Sequence, residues 1–203
     1  MKMKYNKEHI IMEGVKLMMH TGYYSTGIQD ILQASNIPKG SFYNFFSSKE
    51  DFTLQGIKLY SKQFVDILDQ IDGNNILSPL QKIQTFFDFI IQENKKGEFK
   101  YSCLLGNLAL ELAGTSEIFA SSIDAEIKAW KNKTEKWVTE AQANSQITPE
   151  LKPQEINDFI FDTFYGATLR TKYEKSSAAF EQFLKFSFKL LQYYKPETAQ
   201  VLL

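Results

Sequence analysis

Eight residues between Thr26 and Lys49 have the types and spacing to hold a polyanion and read its edges. Lys39, Ser41 and Asn44 fall within one six-residue stretch. A lysine ammonium donates to the acceptors of guanine, and an asparagine amide pairs with adenine through both its donor and its acceptor; these three are the candidates for base reading. Gly40, between them, has no side chain to keep the backbone from a partner. Thr26, Tyr43, Ser47 and Lys49 flank the set and are placed for phosphates, Lys49 most strongly because it falls at a predicted helix N-terminus. Tyr43 reads alternatively as a packing residue.

The elements that must position them are short. Thr26 is a predicted N-cap, with Gln29 as its capping-box partner. Ile28, Ile31, Leu32 and Ala34 then form one apolar face. Asn36 accepts the left-handed backbone that a turn needs, and Pro38 suits the opening of a second helix. That helix, Lys39 to about Phe46, has under three turns and is not stable alone in water. Phe42, Phe45 and Phe46 must therefore lie on neighbouring helices, which leaves Lys39 to Asn44 as a polar leading edge. Ser47 and Ser48 stop it and cap a third helix, with Glu50 or Asp51 as the reciprocal partner. Helix, tight turn and second helix with a basic first turn is the helix-turn-helix arrangement that places side chains in a DNA major groove.

The pattern Thr26-x4-Ile31-x2-Ala34, followed by Lys39-Gly40-Ser41-Phe42-Tyr43-x2-Phe46-x-Ser48-Lys49-Glu50, resembles the TetR (tetracycline-repressor-like) family over roughly Ile10 to Phe52. The sequence departs from that family at Gly27, where a small hydroxyl residue is common; the departure removes one phosphate contact. The resemblance implies a ligand-responsive transcriptional regulator of repressor type. Such a protein binds a pseudo-palindromic double-stranded operator as a homodimer and is released by a small-molecule effector.

Composition is compatible with this. The 203 residues are 43% hydrophobic, with 17 Phe and 10 Tyr. No proline falls between Pro79 and Pro149, and no run of alternating β-branched residues bounded by turns appears. The chain reads as all-α, with about nine helices. Its expected organisation is a DNA-binding domain over residues 1–50 and an effector-binding and dimerisation domain over 51–203. Residues 1–50 carry six lysines against four acids and the whole chain carries −1, so the head is +2 and the remainder −3. A mildly basic head on an acidic body suits phosphate contact at the head. Lys2, Lys4 and Lys7 form a basic arm, either solvated or touching DNA backbone.

A lone cysteine, Cys103, allows no internal disulfide and fits a reducing, cytoplasmic setting. No stretch approaches the length of a membrane span, and no secretory signal core follows the N-terminus. His9 and His20 are eleven residues apart without a cysteine beside them, so neither a metal nor a cofactor is expected. No nucleophile-base, paired-histidine or glycine-rich phosphate motif points to an enzyme.

The body holds two further sets of candidates. An effector pocket would be lined by Phe86, Phe89, Tyr101, Trp130, Trp137 and Tyr165, each of which reads equally as core when taken singly. Asn107 and Glu111, four apart in the apolar run 101–113, need buried partners or a ligand. The segment Tyr101 to Ala109, with Gly166-Ala167-x-Leu169-x-x-Lys172, resembles a subgroup of the family that senses electrophiles and oxidants. That resemblance implies Cys103 as the sensor and Lys172 near it, since a nearby ammonium favours thiolate. Ser102 departs from the glycine usual in that subgroup. The alternatives are a non-covalent pocket with Cys103 as a small hydrophobe, and a helical dimer without DNA binding that acts as an interaction module.

The two last helices are apolar enough to suggest half of a four-helix dimer interface. Ile156, Phe159, Ile160, Thr163, Gly166 and Ala167 form the face on one of them. Phe180, Phe183, Leu184, Ser187, Leu190 and Leu191 form it on the other. Burial of both faces within one chain is the other reading.

Overall fold

The computed structural model describes residues 6–101 and 103–193, apart from the side chains of Lys39 and Tyr193. Among these the chain is all-α. Eight α-helices run in order, with no strand. They are α1 (Lys7–Thr21), α2 (Ile28–Ala34), α3 (Lys49–Asp72), α4 (Pro79–Lys96), α5 (Leu104–Leu108), α6 (Glu117–Ala143), α7 (Pro153–Glu174) and α8 (Ala178–Tyr193). A 3-10 helix, Lys39–Asn44, stands between α2 and α3, and a π-helical turn, Ala109–Ala113, continues α5.

Local capping fixes most of these ends. The Asn6 side chain accepts from Glu8 N–H at 2.9 Å and opens α1. Ser78 and Gln81 close a reciprocal capping box around Pro79 at the start of α4. Ser48 Oγ accepts from Asp51 N–H at 3.0 Å, while the Asp51 carboxylate accepts from Ser47 N–H at 2.9 Å. The start of α2 differs from the sequence expectation. Its N-cap is Gly27, whose N–H donates to Asp30 at 2.7 Å. Thr26 is drawn away, because its hydroxyl donates to Gly22 C=O at 2.7 Å and pairs with Thr21 Oγ1 at 3.0 Å.

The described residues divide into two compact units. One takes those up to Asp66 together with those between Lys100 and Trp130; the other takes Ile67–Phe99 and those from Lys131 to Tyr193. In the first, Ile10, Ile11, Val15 and Met18 of α1 are buried, as are Ile31 and Leu32 of α2 and Leu104, Leu105 and Leu108 of α5. Trp130 Nε1 donates to Ser61 Oγ at 2.9 Å.

In the second unit the core is mostly rings. Phe87 of α4 meets Phe161, Phe164 and Phe183 at centroid distances of 5.5, 5.0 and 5.2 Å. Phe164 stacks on Phe180 at 5.6 Å. A polar node closes the end of α3. Asp72 accepts from Trp137 Nε1 at 2.7 Å and from Lys136 at 3.0 Å, and Lys82 donates to its main-chain oxygen at 2.8 Å. A carboxylate at a helix C-terminus opposes the helix dipole. The indole N–H and the ammonium groups reverse that penalty and hold the Asp72 carboxyl down to about 2.

Candidate nucleic-acid interface

The polar edge is built as an overhang on phenylalanine. Phe42, Phe46 and Phe52 are 0, 1 and 0% exposed, with ring centroids 4.9–5.7 Å apart. Their burial holds the six-residue 3-10 helix, which has too few internal hydrogen bonds to hold itself. The expected helix reached Phe46; the observed one ends at Asn44, and the buried Phe46 packs edge-on against Phe52 of α3.

Tyr43 is 67% exposed, with its ring edge-on to Phe42, and Asn44 and Gly40 are exposed beside it. Nothing lies within 4 Å of where a Cβ on Gly40 would stand. Ser41 is half-buried. The backbone of Lys39 opens the turn, and its side chain lies outside the described residues. Ser47 is exposed, with its hydroxyl on Asp51 at 3.1 Å. Gly40, Tyr43, Asn44 and Ser47 are thus all exposed to solvent.

Two of the eight candidates are engaged elsewhere. Thr26 is 1% exposed and its hydroxyl is held by Gly22 and Thr21. Lys49 is half-buried; its ammonium donates to Tyr23 C=O at 2.6 Å and sits 4.1 Å from the Tyr23 ring centroid. Desolvation lowers its pKa, opposed by the carboxylates of Glu111 and Asp30. Of the basic arm, Lys2 and Lys4 lie outside the described residues, and the Lys7 ammonium stands 5.4 Å over the Phe46 ring.

The body candidates fall in both units. Tyr101, Cys103, Asn107 and Trp130 belong to the first; Phe86, Phe89, Trp137, Tyr165 and Lys172 belong to the second. Phe86 and Trp137 are 0 and 1% exposed, and the Trp137 N–H is held by Asp72. Phe89 and Tyr165 are half-buried, and Lys172 is exposed. Asn107 donates to Met19 C=O at 3.1 Å, so the side chain expected to need a partner caps the end of α1. Burial pushes the Cys103 thiol up, against the Gly106 N–H, the Tyr60 hydroxyl and the Leu105 N–H, which act in the opposite sense. Ser102 lies outside the described residues.

Of the interface candidates, Ile156, Ile160, Phe180, Phe183 and Leu191 are at most 4% exposed within the single chain, and Ala167 and Ser187 are buried too. Thr163 and Leu184 are half-buried and Gly166 is exposed. Phe159 and Leu190 reach the surface at 44 and 57% exposure. Phe186, on the apolar face that periodicity marks in the last helix, is exposed as well, as are Leu169 and Tyr173, which periodicity did not single out for this face.

A propped polar turn after a short helix defines a helix-turn-helix transcriptional regulator. Residues 10–55 match the bacterial regulatory proteins of the tetR family, and residues 79–186 match the tetracyclin repressor-like C-terminal domain. The chain belongs to the TetR family. The HTH-type transcriptional repressor DhaR of Mycobacterium sp. (strain GP1) is 30% identical over 185 residues, 91% of each chain. NemR, an HTH-type transcriptional repressor of Escherichia coli (strain K12), is 25% identical over 185 residues, 88% of this chain and 89% of its own. The regulatory protein TetR from Rhodobacter sphaeroides superposes with a TM-score of 0.85 at 28% identity, covering 90% of this chain and 96% of that one. The family is one of ligand-responsive transcriptional regulators, not of enzymes. Among the described residues no helix is long and apolar enough to cross a membrane.

Proposed function

We propose that this chain is a homodimeric repressor that acts in the cytoplasm on a pseudo-palindromic operator. Each copy would present residues 39–44 to one major groove, the two turns standing about 34 Å apart along the duplex. Lys39, Ser41 and Asn44 are the base readers; Gly40, Tyr43 and Ser47 carry the backbone approach. The observation that carries this reading is the contrast inside one six-residue turn, where Phe42 is fully buried and Tyr43 is 67% exposed. Dimerisation is supported by the apolar surface of α7 and α8 at Phe159, Leu169, Tyr173, Phe186 and Leu190, the kind of patch that marks an association face. A small molecule bound in the C-terminal domain would favour a state with weaker operator affinity.

The test is selection of duplexes from a random library by the purified protein, with its mass measured free and bound. Enrichment of an inverted repeat, bound by a dimer, is the expected result. Failure to enrich any duplex, or binding as a monomer, overturns the reading.

A second reading makes Cys103 the sensor. It rests on the resemblance of residues 101–109 to the sensing subgroup and on the Gly106 N–H, the Tyr60 hydroxyl and the Leu105 N–H, which favour a thiolate against the larger, opposing effect of burial. Alkylation by N-ethylmaleimide should then add one adduct by mass and release the selected duplex, and Cys103→Ser should abolish both effects.

A further inference from the structure

Glu111 lies in the part of the chain that matches the C-terminal domain, yet its carboxylate is bonded to the turn that opens the helix-turn-helix. It accepts from Tyr23 N–H at 2.8 Å and from Tyr24 N–H at 3.3 Å. On the other side of the same residue, Tyr23 C=O accepts from the Lys49 ammonium at 2.6 Å. The Tyr23 main chain is therefore held between an anion on its donor and a cation on its acceptor. Its ring lies under the same ammonium and edge-on to Phe119 of α6 at 5.7 Å.

The fit is close. Gly22 adopts φ +90°, a conformation open to glycine, and a Cβ there would stand 2.7 Å from Glu111 Oε1. One α-helical turn earlier, Asn107 donates to Met19 C=O, one of the terminal carbonyls of α1. In an α-helix four residues over-rotate by roughly 40°. The wider π turn at Ala109–Ala113 reduces that drift, so Asn107 and Glu111 grip consecutive points of the α1 terminus.

We propose that Glu111 and Lys49 act as one through-peptide clamp that positions the helix-turn-helix, with Lys49 serving as a positioning residue and not as a phosphate ligand. The proposal rests on the DNA-binding reading given above. Glu111 fixes the turn from the α5 side and Lys49 fixes it from the first residue of α3, so the start of α3 and the turn before α2 move together. Any rearrangement of residues 104–113 that withdraws the carboxylate frees the Tyr23 and Tyr24 amides and loosens the Lys49 bond.

The test uses the full chain with Glu111→Ala, Glu111→Gln, Lys49→Met and the Glu111→Ala/Lys49→Met double variant. Hydrogen exchange of the Tyr23 and Tyr24 amides requires no DNA and reads the clamp itself. Glu111→Ala should speed it at least about tenfold, and Glu111→Gln, which keeps an acceptor oxygen, less. Affinity for the duplex selected by the wild type should fall about tenfold in either single variant, and no further in the double variant, since both remove the same device. In Lys49→Met the slope of log affinity against log salt should stay unchanged.

Three results overturn the proposal: amide exchange unaltered in both Glu111 variants, additive losses in the double variant, or a Lys49→Met slope flatter by about one unit, the mark of a direct phosphate contact. If the wild type selects no duplex, the DNA reading fails, and the amide arm alone then decides whether the clamp exists. Should Glu111→Ala fail to fold, Glu111→Gln and Lys49→Met carry the same comparison.

Discussion

The turn at Gly22–Thr26 and the packing of α4, α7 and α8 are closed by different forces. Around Phe87, four aromatic neighbours interlock at centroid distances of 5.0–5.5 Å, and no single polar atom decides the arrangement. Around Tyr23, two charged side chains, Glu111 and Lys49, fix the main chain of Tyr23 and Tyr24 through bonds of 2.6–3.3 Å. Dispersion between rings is undirected and summed over many atoms, so such a core resists being remade in a second arrangement. A directed bond to a peptide group is made or lost at one atom. A regulator needs both, a body that keeps its form and a reading head that can be set or released by a few groups.

The contrast fixes the order of expected effects on stability. Phe87→Ala should cost the most, about 3–5 kcal/mol by urea denaturation, because a fully buried ring leaves a cavity among other rings. A loss below about 1 kcal/mol would show that this packing is looser than the ring distances imply.

Asp72 comes next and gives the second unit a pH signature. Its folded pKa, about 2, lies below its ordinary value of 3.8, so its contribution is complete above the ordinary value and is lost as pH falls through about 2. The side chain is 38% exposed, and solvent screening reduces the effect to about 1 kcal/mol. Denaturation midpoints followed from pH 5 to pH 2 should fall more steeply in the wild type than in Asp72→Asn. Parallel curves would mean that the Trp137 and Lys136 bonds do not distinguish the charged carboxylate.

What could be seen in the sequence follows the same division. Capping is local, so Ser47 to Asp51 marked the start of α3 within a residue or two. The need of Asn107 and Glu111 for partners was also visible, as two polar groups in an apolar run. The partners were not visible: Met19 C=O and the Tyr23 N–H lie 88 residues away, and main-chain groups leave no trace in residue type. Lys49 was recognisable as a cation at a helix start, but a free ammonium and one resting on a carbonyl have the same sequence. Thr26 was placed one residue past its role, because the competing acceptor on Gly22 appears only once α1 has ended. On α7, apolar residues occupy more than one face, so periodicity alone did not separate the inward Ile156 and Ile160 from the outward Phe159.

The α7 and α8 surface sharpens the comparison from outside. Leu190→Ser changes a side chain that is 57% exposed, so the isolated chain should lose no more than about 0.5 kcal/mol. Sedimentation equilibrium should nonetheless show a shift from dimer toward monomer. An unshifted dimer would move the association face away from this patch.

Gly40→Ala is expected to disturb the folded chain least. Nothing occupies the space a methyl group would enter, and Gly22 is the one glycine with positive φ among the described residues. Replacing a glycine of ordinary φ by alanine removes freedom from the unfolded chain, so melting should be unchanged or raised by less than about 1 kcal/mol. Within the free protein, then, no packing reason for a glycine exists at this position. A duplex backbone seated against the turn, as proposed, would supply one, and the methyl group would stand between them. Gly40→Ala should therefore weaken binding to the selected duplex about tenfold or more while leaving the melting curve in place. Equal affinity would mean that the duplex keeps its distance from residue 40 and that recognition falls to Tyr43, Asn44 and the lysine beside them.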